Sequence, residues 1–198
     1  IVPNQVHGTT IVNIESASTA QLVAAQQRAQ AGADALAVSV PGVAALLCFA
    51  DCTPVIIVSP TGRFVVAHAG WRGVVGNIAV LSAQRLAQAD GACGPDQVRA
   101  NLGGYNAYIG PHIHACHFEV GQDVADTFRS QFGASCIEGQ RHVSMLDALR
   151  TSLVAAGVDA ARICDAGICT QCNSQAYYSY RASGGTCGRH GAVAFRKA

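Results

Sequence analysis

The chain has 198 residues, half of them apolar and only 13% charged, with a formal net charge of +1. That length fits a single domain burying ~70% of its unfolded surface. The near-neutral charge gives no footing for nucleic-acid or anionic-membrane binding, and no apolar run reaches the ~18 residues of a bilayer span.

The sparse surface charge predicts a homo-oligomer. Nine cysteines, at 48, 52, 93, 116, 136, 164, 169, 172 and 187, are odd in number and irregularly spaced. A secreted disulfide framework favours even, regular sets, so reduced thiols and a cytoplasmic location are expected. Nothing reads as a secretory signal, and a chain opening on Ile1 is expected to lack its natural start.

In chain order, Thr9 to Ile14 reads as a short strand and the Ala/Gln-rich stretch Thr19 to Gln30 as a helix. Four apolar runs follow, Ala35–Val40, Ala44–Ala50, Val55–Val58 and Arg63–His68, with turns at Pro41-Gly42 and at 59–62. Gly73 to Gln88 reads as one helix with Ile78, Ala79 and Leu86 on its buried side. A strand is expected near Asn101–Ile109, then helices at Gln122–Phe132 and Ser144–Ala156, the second capped by Ser144. Short strands are expected near Arg162–Ala166, Tyr178–Arg181 and Ala192–Arg196. Strands and helices alternate without a βαβ rhythm, which favours an α+β mixed sheet over a doubly wound one.

Three segments carry chemistry: Gln5-Val6-His7-Gly8, Ala50-Asp51-Cys52-Thr53-Pro54 and His68-Ala69-Gly70-Trp71-Arg72-Gly73. Each holds one borderline or soft ligand at an edge of apolar sequence. Two imidazoles and a thiolate suit a zinc ion that keeps its fourth position open, as catalytic sites do. A hairpin turning at 59–62 would bring Cys52 and His68 together, and Pro54 forbids a central strand continuing through it. His7 must arrive from a distant segment. On spacing alone, a core cysteine and two locally bonded imidazoles explain the same residues, because no short-range zinc motif links them. The start of the helix after Gly70 offers free N–H groups, and Arg72 a forked cation suited to phosphate. A capped helix with a solvent-facing arginine is the plain alternative. Asp51 reads either as a carboxylate supporting the ligands or as a turn residue.

QVHG, ADCTPV and HAGWRG, in this order, resemble the YfiH/YlmD family. So do Ile109-Gly110-Pro111 with Phe118-Glu119-Val120-Gly121, and Cys169-Thr170 with Tyr178-Ser179-Tyr180-Arg181 and Gly188-Arg189. Family members carry the labels laccase-like polyphenol oxidoreductase, peptidoglycan editing factor and purine nucleoside phosphorylase. The resemblance runs through nearly the whole chain and implies a mixed β-sandwich decorated with helices in one domain, residues 1–198. It implies zinc on His7, Cys52 and His68, and these as the catalytic centre. It implies phosphorolysis of adenosine, inosine, guanosine and methylthioadenosine, with deamination of adenosine as a second reaction. Purine nucleosides and phosphate are then the partners, with Arg72, and after it Arg181 and Arg189, holding the phosphate. The family also carries residues ahead of QVHG, including an Asn-Arg pair, and usually has cysteines between IGP and EVG. This chain has His112, His114, Cys116 and His117 there.

Rival readings use the same residues. His117-Phe118-Glu119 with Cys169-Thr170-Gln171-Cys172 imitates the signature of zinc deaminases, lacking its proline at Ile168. Cys164, Cys169 and Cys172, with Cys187, have the spacing of an iron–sulfur protein. A laccase would use copper at the His-Cys-His set, the alternative metal there, but seven histidines are too few for a full multicopper oxidase in one chain. A thiol-rich domain with a stabilising zinc is the non-enzymatic alternative, and a peptidoglycan-precursor editing hydrolase the main enzymatic one.

Overall fold

In the computed structural model, which describes residues 1–197, a mixed six-stranded sheet separates two hydrophobic layers. Its strands are β1 (Ile11–Ile14), β2 (Ala35–Val38), β4 (Thr53–Val58), β5 (Phe64–Ala69), β6 (Asn106–Ile109) and β9 (Ile163–Asp165), in the order β1-β2-β5-β4-β6-β9. The outer pairs are parallel and the inner ones antiparallel. β3 (Ala44–Phe49) pairs antiparallel with β10 (His190–Phe195) as a separate ribbon, and β7 (Ile137–Glu138) with β8 (His142–Val143).

Strand alternation sorts the two layers. Val65, Ala67 and Ala69 of β5 face a helical layer of α2 (Trp71–Val75), α3 (Ile78–Ala89), α4 (Pro95–Leu102), α5 (Gln122–Phe132) and α6 (Met145–Ala156). Phe64 and Val66 of the same strand face the β3–β10 ribbon and α1 (Thr19–Gln30). Because side chains alternate with period two, His68 falls on the ribbon side. The expected α+β class, a sheet packed by a ribbon and decorated with helices, is the one observed. Among the described residues no helix is long and apolar enough to cross a membrane.

The expected single helix over Gly73–Gln88 is instead two helices. Asn77 takes a left-handed conformation (φ 59°), and at Gly76 a Cβ would sit 2.6 Å from Thr9 Cγ2. The chain therefore turns there, and α2 begins earlier, at Trp71 behind Gly70. The expected strand from Asn101 starts only at Asn106, because Pro95 opens α4 at a position that suits its fixed φ. Pro54 lies inside β4, near its start, and does not end it; its carbonyl still accepts from the Gly110 amide. Tyr178–Arg181 forms no strand, because the Arg181 amide is taken by the Asp51 carboxylate. Ser144 caps α6 as expected, accepting from the Asp147 amide at 3.2 Å.

Asp90, at the end of α3, ties that helix to the turn between β4 and β5 and to the chain just before β6. Its side chain is 5% exposed and accepts from Thr61 and Arg63, each at 2.7 Å, and from the Tyr105 hydroxyl. Burial works against the carboxylate, but the bonds from Tyr105, Thr61 and Arg63 outweigh it and hold its pKa below the ordinary value. A depressed carboxylate stabilises the fold above its unfolded pKa, and that contribution is lost as pH falls through the folded pKa. Asp90→Ala is expected to cost about 1–3 kcal/mol at neutral pH by urea denaturation, with a difference from the parent protein that shrinks on acidification.

Candidate metal centre

The turn between β3 and β4 presents Cys52, and β5 presents His68 directly opposite Pro54. The hairpin expected at 59–62 thus brings the two together. His7 comes from the N-terminal loop, which is fastened at two points. The Gln5 side chain clamps the β3 backbone, donating to the Cys48 carbonyl and accepting from its amide, both at 2.8 Å. Asp34, fully buried just before β2, accepts from the amides of Val6, His7 and Gly8 at 3.3, 2.9 and 2.7 Å. These bonds hold His7 in a left-handed conformation (φ 62°) that a non-glycine residue rarely adopts unaided.

The result is one donor atom each from His7, Cys52 and His68, all within 4.8 Å of one another. The His7 and His68 rings meet edge to face at 4.8 Å. Gly70 completes the cradle, since a Cβ there would lie 3.0 Å from His7 Cδ2 and 3.3 Å from Cys52 Sγ.

Asp34 also accepts from His68 Nδ1 at 2.8 Å. That fixes the proton on Nδ1 and leaves Nε2 with a free lone pair, the arrangement that orients metal-binding histidines. Burial, then the neighbouring His68, lowers the pKa of His7 and keeps it neutral. Burial, then the Asp51 and Asp34 carboxylates, pushes the Cys52 thiol up to about 11. A thiolate there needs a cation beside it. Two imidazoles and a thiol awaiting a counter-charge fit a divalent ion with one position open.

Above these residues lies a cleft of about 520 Å³. Arg181 and Arg189 stand in its wall beside the rings of Phe118 and Tyr180. The Arg181 guanidinium lies 5.7 Å from the Phe118 ring centre, and that of Arg189 5.9 Å from the Tyr180 ring centre. Arg72, the first choice for an anion from sequence, is exposed outside the cleft lining, stacked 4.4 Å from the Trp71 ring centre. Asp51 proves to be a loop organiser. It sits at φ 87°, accepts from the Thr170 hydroxyl at 2.6 Å and the Arg181 amide at 2.7 Å, and so sets the arginine-bearing turn against the cleft. The carboxylate that supports a ligand is Asp34. The sequence reading missed it, and only its place next to the apolar run Ala35–Val40 hinted at burial.

The cysteine-rich motifs resolve differently from either rival reading. Cys169 and Cys172 gather with His117 as the deaminase-like pattern implied, but Cys116 joins them and Glu119 instead pairs with Arg141. Cys164 and Cys187, the other members of the iron–sulfur spacing, stand outside the group.

A family model described as multi-copper polyphenol oxidoreductase laccase matches residues 1–197. Adenosine deaminase RL5, from an unknown prokaryotic organism, is 32% identical over all of this chain and 75% of its own length. A purine nucleoside phosphorylase of Deinococcus radiodurans is 33% identical, over 96% of this chain and 67% of its own. Among solved structures, YlmD from Geobacillus stearothermophilus superposes with a TM-score of 0.82 at 32% identity, covering all of this chain and 73% of that one. YfiH from Bacillus licheniformis gives 0.83 at 26% identity, covering 99% and 74%.

Asp34→Asn keeps the volume but replaces one acceptor by a donor. It is expected to lower stability by about 1–3 kcal/mol in urea titrations and to broaden the His7 and His68 ring signals in NMR spectra. The family model spans every described residue, and the QVHG, ADCTPV and HAGWRG segments converge in one centre: this chain belongs to the YfiH family of laccase-like multi-copper polyphenol oxidoreductases.

Proposed function

We propose that the chain is a zinc-dependent purine nucleoside phosphorylase acting on adenosine, inosine, guanosine and methylthioadenosine, with adenosine deamination as a second reaction. The observation that carries this reading is the convergence of His7, Cys52 and His68 at the foot of a cleft walled by two arginines and two aromatic rings. Relatives named for phosphorolysis and for deamination, each about a third identical, support the same class of chemistry.

His7, Cys52 and His68 would hold the ion, which would supply Lewis acidity to a bound substrate or water. Asp34 keeps the Nδ1 proton on His68, so that Nε2 would be the ligand atom. Phe118 and Tyr180 offer flat apolar surface for a purine. Arg181 and Arg189 receive phosphate, and Arg72, outside the cleft lining, adds a positive field felt at His7. In phosphorolysis a phosphate oxygen bonds to the sugar C1′ as the bond from C1′ to the purine nitrogen breaks. The electron pair leaves with the purine, which takes up a proton. Positive charge builds on the sugar on the way, and a phosphate dianion held by the two arginines is placed to stabilise it. In deamination, water adds at the amino-bearing carbon and ammonia leaves.

The decisive assay incubates metal-analysed protein with inosine and adenosine, with and without phosphate. Release of hypoxanthine from inosine is expected to require phosphate and to disappear in Cys52→Ala. Arg189→Ala is expected to raise the KM for phosphate about tenfold or more, in line with the loss of one charge-assisted bond. Absence of nucleoside turnover with zinc or copper would sink this reading and favour cell-wall precursor hydrolysis.

A further inference from the structure

The group Cys116, His117, Cys169 and Cys172 lies apart from the cleft's three donors and has no role in the reaction above. One ligand atom from each is within 4.8 Å of all the others. Cys116 Sγ lies 3.8 Å from Cys169 Sγ and 3.7 Å from Cys172 Sγ. His117 Nδ1 lies 3.1, 3.4 and 3.9 Å from the sulfurs of Cys116, Cys172 and Cys169.

These spacings are the edges of a coordination tetrahedron. Zinc–sulfur bonds of ~2.3 Å at tetrahedral angles place sulfurs ~3.8 Å apart, and a zinc–nitrogen bond of ~2.0 Å places the nitrogen ~3.5 Å from each sulfur. A disulfide would need ~2.04 Å between two sulfurs and would leave the third thiol unused. The chain path also fits. Cys169 and Cys172 are separated by two residues in a tight turn, and the His114 amide donates to Cys169 Sγ at 3.4 Å. Amide donors of this kind stabilise a thiolate. Cys169 is buried, whereas Cys116 and Cys172 reach the surface, so an ion has a path in.

We propose that Cys116, His117, Cys169 and Cys172 bind a second, structural zinc ion, closed by four protein ligands and separate from the cleft. Three thiols release their protons to solvent on binding, and no electron is transferred. The ion would staple the loop between β6 and α5 to the loop after β9. His112 already bridges to Cys169 there, and Thr170 bonds Asp51. Both loops build the cleft: Ile113 and Phe118 line it, and the His117 carbonyl accepts from the Arg181 guanidinium at 3.2 Å. The staple thus holds the arginine wall without touching substrate.

The test uses the full chain expressed with zinc. Cys52→Ala removes the sulfur donor of the His7–Cys52–His68 set, so this variant reports the second site whatever the fate of the proposed function. It is expected to retain a single equivalent of zinc by elemental mass spectrometry after gel filtration. Adding Cys172→Ser should cut zinc to about a tenth of that or less. Cobalt-loaded Cys52→Ala guards against misfolding of the double variant. It should show the strong near-ultraviolet thiolate-to-cobalt band and the visible bands of a tetrahedral ion. Zinc-free Cys52→Ala without the cobalt bands, an equal zinc content in the two variants, bound iron in place of zinc, or a disulfide among these cysteines in the native protein would each overturn the proposal. Loss of zinc from the native cleft site with retention in Cys52→Ala would instead remove support for the catalytic reading alone.

Discussion

Asp34 is fully buried, and both its oxygens are spoken for: three consecutive amides of the N-terminal loop and the Nδ1 of His68. Burying a carboxylate is costly unless it is paired and hydrogen-bonded. Here the bonds that offset that cost are the same ones that bring two imidazoles from separate segments of the chain to one point. Burial pushes the Asp34 pKa upward, but the bonds from His68 and the loop amides prevail and keep it an anion. The centre is therefore organised by an acceptor that is not itself one of its three donors. The left-handed backbone of His7 is tolerable because the amides on either side are held by one side chain.

A second carboxylate performs the matching task on the opposite wall. Asp51, adjacent to Cys52, reaches away from the sulfur to Thr170 and to the amide of Arg181. Cys52 and the arginine-bearing turn are thereby fixed to neighbouring residues of one tight connection, although Asp51 and Arg181 lie 130 positions apart in sequence. Both residues with positive φ near the cleft, His7 and Asp51, sit where strain is held by several hydrogen bonds at once, the usual condition for strain at a functional site.

The molecule keeps its two thiol-bearing clusters chemically distinct. His7, Cys52 and His68 form an open set facing a cleft, with Gly70 sparing the space a side chain would fill. Cys116, His117, Cys169 and Cys172 form a four-donor set between two loops. Three donors and a cavity suit exchangeable ligands, while four donors with none suit a permanent one. The two communicate through His117, whose carbonyl accepts from Arg181 in the cleft wall.

Much of the local structure was legible in the chain itself. Apolar runs and the turn at 59–62 placed β2 to β5 within a residue or two, and the Ala/Gln-rich stretch and the Ser144 cap marked α1 and α6. Those signals are local: periodicity, turn residues and caps act over a few positions. The break at Asn77, the irregular path of Tyr178–Arg181 and the late start of β6 were not legible, because each answers to a contact made elsewhere or to a helix start that competed with the strand pattern. The same division runs through the candidate centre. Residue chemistry marked His7, Cys52 and His68 as candidate donors, the resemblance of the segments around them favoured a shared site over a core cysteine and two locally bonded imidazoles, and seven histidines are too few for a full multicopper oxidase. Only the tertiary structure decided that Asp34 joins the His7 loop to His68, that Arg181 and Arg189 line the cleft while Arg72 stands outside that lining, and that Cys116 completes the second cluster. A buried carboxylate or a fourth sulfur is recruited by proximity in space, and the sequence carries no local mark of what will be packed beside it.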